Sequence, residues 1–138
     1  MNEAGRPTLS TEPTIDVHWP LVGIAHVILG GEHDLSNVQN LHKLLTETLG
    51  WCSQMVVDLR RARFVDSSTL QALVWTRARA RASNRRFNVV VAPRSLEQRS
   101  LEITNALESL GSVETLEEAL SEADRDAARL PARLVRQG

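Results

Sequence analysis

Val56-Val57-Asp58-Leu59, followed by Phe64-Val65-Asp66-Ser67-Ser68 and then by Leu70 and Leu73-Val74, is the stretch that decides the fold. Met55 through Leu59 is a short apolar run, as expected of a central strand covered by helices. A short loop should carry the chain into a helix over residues 68–82, with Leu70, Leu73, Val74 and Ala78 on its inner side. Asp66, Ser67 and Ser68 fall at the mouth of that helix, where backbone N–H groups lack partners. Ser68 with Gln71 has capping-box spacing. With Ser68 as the cap, Ser67 lies just outside the helix and its hydroxyl reaches solvent.

Upstream, Ile15, Val17 and Trp19 alternate with Asp16 and His18, which predicts a strand with one buried face. Pro20 is expected to end it. A second strand over residues 22–29 follows closely enough for a hairpin, and Gly30-Gly31 is expected to close it. Val38, Leu41, Leu44, Leu45 and Leu49 recur at helical spacing, with Ser36 and Gln39 as a capping box and Gly50 as the stop. Downstream, residues 87–91 read as another buried strand. Pro93 and Ser95, with Gln98, open a third helix carrying Leu96, Leu101, Ile103 and Leu107. Thr115 and Glu118 form the capping box of a last helix with Leu116, Ala119 and Leu120. Strands alternating with helices imply an α/β fold around a mainly parallel sheet, made mixed by the opening hairpin. Residues 1–13 read as a flexible arm, residues 14–122 as the folded domain and residues 123–138 as a helical extension or tail.

Composition narrows the function. The 138 residues fit one domain large enough for a sizeable core. The net charge of -1 gives no overall pull toward nucleic acid or anionic lipid. No stretch is long and apolar enough to span a membrane. Residues 1–13 have no apolar core of a secretory signal, so the cytoplasm is the expected compartment. Cys52 is the single cysteine and reads as a structural thiol. His18, His26, His33 and His42 show no metal-ligand spacing. Neither a G-x-S-x-G turn nor a glycine-rich phosphate loop is present, which argues against hydrolase or nucleotide chemistry. Arg77, Arg79, Arg81, Arg85 and Arg86 gather near the end of the second helix. They read as a solvated face favoured by the helix dipole, the alternative being a patch for an acidic partner or a nucleic acid. Trp75 either packs at the rim of the third helix or stands exposed as a binding anchor.

Four segments carry a resemblance. Gly31-Glu32-His33-Asp34-Leu35 resembles a "GELDL" loop. Val57-Asp58-Leu59 with Phe64-Val65-Asp66-Ser67-Ser68 resembles "VDLS…FIDSSGLG". Leu101-Glu102-Ile103-Thr104 resembles "LELTG", and Thr115-Leu116-Glu117-Glu118-Ala119-Leu120 resembles "SLEEAL". In that order they resemble a STAS domain of the anti-sigma factor antagonist type across residues 15–120. The resemblance implies a STAS-like mixed sheet of about four strands, with about four helices packed mainly on one face.

It also implies a function. The chain would be no enzyme and would need no cofactor or metal. An anti-sigma factor serine/threonine kinase would phosphorylate Ser67, or less readily Ser68, and a serine phosphatase would act on phospho-Ser67. Asp34, Asp66, Ser67, Ser68, Thr69, Gln71 and Trp75 would form the partner surface, with no nucleic acid bound and no membrane insertion. A phosphate at Ser67 would be tolerated by the helix dipole yet add about -1.5 to -2 charges beside Asp66. Thr69 and Gln71 replace the two glycines of "SSGLG", adding bulk and polarity at that surface. His33 replaces an apolar residue. Asn105 stands where a glycine follows the third helix and is expected to stop it. The alternative function is a STAS module of a stress-signalling scaffold, or a cytoplasmic subunit of a lipid or anion transporter.

Overall fold

The computed structural model describes residues 11–92 and 101–121, with only the backbone of residues 101–104. The N-terminal part of the expected arm, the opening of the third helix and the tail lie outside the described residues. The elements are β1 (Thr14–Leu21), β2 (Ile24–His33), α1 (Val38–Leu49), β3 (Gln54–Val65), α2 (Ser67–Ala82), β4 (Arg86–Val90) and α3 (Leu101–Ser109). A further helical segment, α4, covers residues 116–121. The strands form one sheet in the order β1-β2-β3-β4. β1 pairs antiparallel with β2, and the two remaining pairs are parallel. This is the mixed STAS-like sheet expected above.

Alternation along the strands explains the two faces. Ala25, Val27 and Leu29 of β2, Met55, Val57 and Leu59 of β3, and Phe87 and Val89 of β4 point to one side. There they meet Leu41, Leu45 and Leu49 of α1, Leu70, Leu73 and Ala80 of α2, and Leu107 and Leu110 at the end of α3. The other side holds a smaller cluster, Val56, Val90 and Ala119, with Ile24, Val113 and Leu116 against it. Gln54 ties α4 to that face, donating from Nε2 to the Ala119 carbonyl at 3.2 Å and to Asn88 Oδ1 at 2.8 Å. Covering on both faces is why Met55 through Leu59 lacks polar alternation. The exception is Asp58 on the second face, bonded to His26 at 2.9 Å and to Arg60 Nη2 at 2.6 Å. Burial alone would raise its pKa, but hydrogen bonds from Arg60 and His26 hold the carboxyl below its usual range.

Several boundaries differ from expectation. β1 continues through Pro20 to Leu21, because an edge strand tolerates a missing N–H. β2 begins at Ile24 and runs through Gly30-Gly31 to His33. These glycines do not close the strand; they let another segment approach it. A Cβ on Gly31, at φ +74°, would lie 2.0 Å from the Glu12 carbonyl oxygen. β3 continues to Val65, so no loop separates it from α2 beyond Asp66. On α2, Val74 and Ala78 face solvent, while Thr69, Ala72 and Thr76 complete the buried side. α3 passes through Asn105, and the left-handed position after it is Gly111, at φ +67°. Half of the expected Thr115–Glu118 capping box is seen: Glu118 N–H donates to Thr115 Oγ1 at 3.0 Å, while the Glu118 carboxylate accepts from the Thr115 hydroxyl at 3.2 Å and not from its backbone N–H.

Leu73 is fully buried between α2 and the sheet. Leu73→Ala should lower unfolding free energy by about 2–5 kcal/mol through lost transfer energy and the cavity left behind. Urea unfolding followed by circular dichroism reads this directly, and a loss within error of zero would contradict the packing.

Candidate functional site

The site is built where two parallel strands end side by side. His33 of β2 pairs with Val65 of β3. One residue further, Asp66 N–H donates to the His33 carbonyl at 3.1 Å. Asp66 is still extended, with φ -92° and ψ 179°, and its carboxylate accepts from Thr69 N–H at 3.0 Å. That makes Asp66 the N-cap of α2. The expected Ser68–Gln71 capping box is therefore corrected. A carboxylate with two oxygens outcompetes Ser68, whose own hydroxyl donates to Asp66 Oδ1 at 2.7 Å.

The correction moves Ser67 to the first helical position, with Ser68 second. Ser67 is exposed, and among the described residues its hydroxyl makes no hydrogen bond. Ser68 is half-buried with its hydroxyl committed to Asp66. The two adjacent serines are thus chemically unequal. Thr69 is fully buried, so it cannot add bulk to a docking surface as expected. Gln71 is exposed. Ser67, Gln71, Val74 and Ala78 recur at helical spacing and form one outward stripe along α2. Leu35 and Phe64 stand exposed at the neighbouring strand ends.

Asp34 lies one residue past β2, beside the start of α2. Its carboxylate accepts from the backbone and the hydroxyl of Ser36. The expected Ser36–Gln39 capping box is absent, because Ser36 is held there and α1 begins at Val38. Asn37 staples the turn instead. Its Oδ1 accepts from Asp34 N–H at 2.8 Å, and its Nδ2 lies 2.8 Å from His33 Nδ1. His33 is fully buried, with Nε2 2.9 Å from the Gly30 carbonyl. A neutral ring with Nε2–H donating to Gly30 and Nδ1 accepting from Asn37 satisfies both nitrogens. Burial lowers the His33 pKa from its ordinary value, against smaller opposing contributions from backbone hydrogen bonds and Asp34. Sequence reasoning missed this staple. The signal was a histidine at an apolar position, which requires partners once buried.

Trp75 lies on the flank of α2, about two-fifths exposed. It packs against α1, its ring centroid 4.3 Å from that of His42. Cys52 is buried, and burial pushes its thiol up, away from the reactive thiolate range. Among the described residues no group of three or more His, Cys, Asp or Glu is placed to hold a metal ion. No described helix is long and apolar enough to cross a membrane. Among the described residues Ser67 has no base in hydrogen-bond contact, and Asp66 is occupied by Ser68 and Thr69.

Comparison with known proteins follows this geometry. A family model described as "Mlab, STAS domain" matches residues 23–110. No curated protein matches the chain. The crystal structure of an anti-sigma factor antagonist from Mycobacterium paratuberculosis is similar, with a TM-score of 0.69 at 22% identity, over 81% of this chain and 94% of that one. The anti-sigma factor antagonist SpoIIAA in its unphosphorylated form gives 0.62 at 15% identity, over 81% and 98%. The Bacillus cell fate determinant SpoIIAA in the phosphorylated form gives 0.60 at 18% identity, over 80% and 99%. These likenesses establish the shared fold.

Two measurements test the site. Asp66→Ala should cost about 1 kcal/mol through loss of the N-cap. Burial would raise the Asp66 pKa, but hydrogen bonds from Ser68, Thr69 and the Leu35 backbone hold it below the usual range. The cap's contribution is therefore present above the unfolded value of about 3.9 and lost as pH falls through the folded one. The gap between wild type and Asp66→Ala should close in acid. His33, also lowered, makes wild type lose stability as pH falls from about 6.5 through the folded value. His33→Leu should flatten that slope in denaturant titrations at successive pH values, and an unchanged slope would contradict the neutral buried ring.

Proposed function

The chain belongs to the STAS-domain family, and on that premise we propose that it is an anti-sigma factor antagonist that works by partner switching. The observation that carries this reading is Ser67: an exposed, uncommitted hydroxyl at the first position of α2, next to a serine whose hydroxyl is tied to Asp66. The SpoIIAA fold, described in an unphosphorylated and a phosphorylated form, supports it further.

In the unphosphorylated state the chain binds an anti-sigma factor serine/threonine kinase and so frees a sigma factor. The docking face is the outward stripe of α2, with Gln71 and Val74 below Ser67 and Leu35, Phe64 and Asp34 beside it. The kinase brings its own ATP and magnesium. Ser67 Oγ forms a bond to the γ-phosphorus, the bond from that phosphorus to the bridging oxygen of ADP breaks, and the hydroxyl proton leaves to a base of the kinase. This chain supplies only the acceptor and needs no cofactor.

Phosphate changes the surface more than the fold. The positive end of the α2 dipole favours the new charge, against repulsion from the Asp66 carboxylate that already caps the helix. The partner meets a dianion where it had packed against a small neutral group next to exposed apolar side chains. Unpaired charge at an interface costs about 2–5 kcal/mol, and about 1.4 kcal/mol is tenfold in affinity. A serine phosphatase acting on phospho-Ser67 restores the hydroxyl. The replacements in the family's "SSGLG" pattern then divide: buried Thr69 leaves the docking face unchanged, and exposed Gln71 tunes which kinase fits.

Incubation with candidate anti-sigma kinases and ATP, followed by mass spectrometry of the Ser67 peptide, tests the reading. Phosphate is expected on Ser67 and not on Ser68. Ser67→Ala should hold the kinase constitutively, and Ser67→Asp should bind at least about tenfold more weakly by calorimetry. Equal affinities for the two variants would count against the switch. Absence of phosphate together with copurification of a membrane permease would place the chain among transporter subunits instead.

A further inference from the structure

The far end of α2 is unlike the Ser67 end. There the C-terminal halves of α1 and α2 flank a groove of about 330 Å³, within the size range of ligand pockets. Leu49, Trp75 and Ala82 give it apolar lining, and Thr46, Arg79 and Arg85 are among the polar residues around them. We propose that this groove is a second docking site, which takes an acidic segment of a partner protein carrying an apolar side chain.

Charge complementarity argues for that occupant. α2 carries Arg77, Arg79 and Arg81 and no acidic residue, and Arg85 follows just beyond it. Among the described residues none of these four is ion-paired with a carboxylate. The lining residues of α1 are neutral. Like charges four residues apart on a helix repel, so this arrangement works against helix stability.

The two arginines nearest the groove are already held. The Arg79 guanidinium sits over the Trp75 ring, 5.2 Å from its centroid. Arg85 Nε donates to the Cys52 carbonyl at 2.9 Å. Held this way, each loses less freedom when it meets a carboxylate. Trp and Arg around a partly apolar pocket are also the residue types that dominate protein–protein affinity. A nucleic acid fits less well. It calls for cations tracking successive phosphates, whereas here two arginines, Arg79 and Arg85, line one pocket on a chain of net charge -1.

The site does not rest on partner switching. Arg79 lies about 18 Å along α2 from Ser67, at about 1.5 Å per residue. That exceeds two Debye lengths of about 8 Å at physiological salt, so a charge at Ser67 leaves the groove unaffected.

The test is an NMR titration of the full ¹⁵N-labelled chain with a short peptide of glutamates around a single leucine. A peptide of lysines around leucine and a single-stranded oligonucleotide serve as comparisons. The acidic peptide should saturably shift the Trp75 indole N–H and the amides of Thr46, Arg79 and Arg85. Arg79→Glu should weaken binding about tenfold or more, and Arg79→Gln by less, each variant keeping wild-type amide dispersion. Ser67→Asp should bind as wild type does, which separates this proposal from the switch. Absence of saturable shifts, undiminished binding by Arg79→Glu, or tighter binding of the oligonucleotide would overturn it. So would nuclear Overhauser contacts from Trp75 to residues 122–126 of the same chain, which would make the occupant internal.

Discussion

The hydrogen bond from Asp66 N–H to the His33 carbonyl fixes the place where a strand stops and a helix begins. Asp66 completes the β2–β3 ladder with its backbone and caps α2 with its side chain. One residue therefore satisfies two elements, and no slack is left between them. The register of α2 follows. Leu70, Leu73 and Ala80 turn to the core, and Ser67, Gln71, Val74 and Ala78 turn to solvent. A cap placed two residues later would turn the helix by more than half a revolution, at about 100° per residue. The exposed serine and the buried threonine would then lose their positions.

The sequence made the architecture legible where a single rule dominates. Leu41, Leu45 and Leu49 sit at helical spacing and are buried together. Thr115 caps the last helix through the Glu118 N–H, as its position before the apolar residues suggests. Reading failed where two groups compete or where tertiary contact overrides local preference. Asp66 and Ser68 both prefer helix caps, and only the geometry of the strand end selects the carboxylate. Arg60 and Arg63 make the second half of β3 look like a loop, yet the parallel neighbour carries it on to Val65. Gly30-Gly31 looks like punctuation, yet it makes room for Glu12 and Thr14 crossing close by. Val74 looks like core, yet it stands exposed on the outer side of α2. Of the expected site residues, Asp34, Asp66, Ser67 and Ser68 come together at the strand ends. Thr69 is inside, and Trp75 belongs to the opposite half of the helix.

α2 thus presents two different chemistries on one rigid rod. Its first turn offers a small neutral hydroxyl beside a capping carboxylate. Its last turns offer guanidinium groups stacked and tethered around a tryptophan. The helix dipole favours both arrangements, anions at the start and cations at the end. The core beneath them is continuous, so the two ends hold a fixed separation while remaining electrostatically independent.

The outer rim of the sheet has a consequence for how many copies can coexist. β1 is an edge strand, and Trp19 and Leu21 lie exposed along it. Such a rim invites a strand from another molecule to zip on. Pro20 removes one donor there, and the pairing with β2 shifts register between His18 and Leu21. The rim is therefore kinked and short of a hydrogen-bonding group where its apolar side chains are most open. Both features blunt this edge as a template for strand addition by another copy.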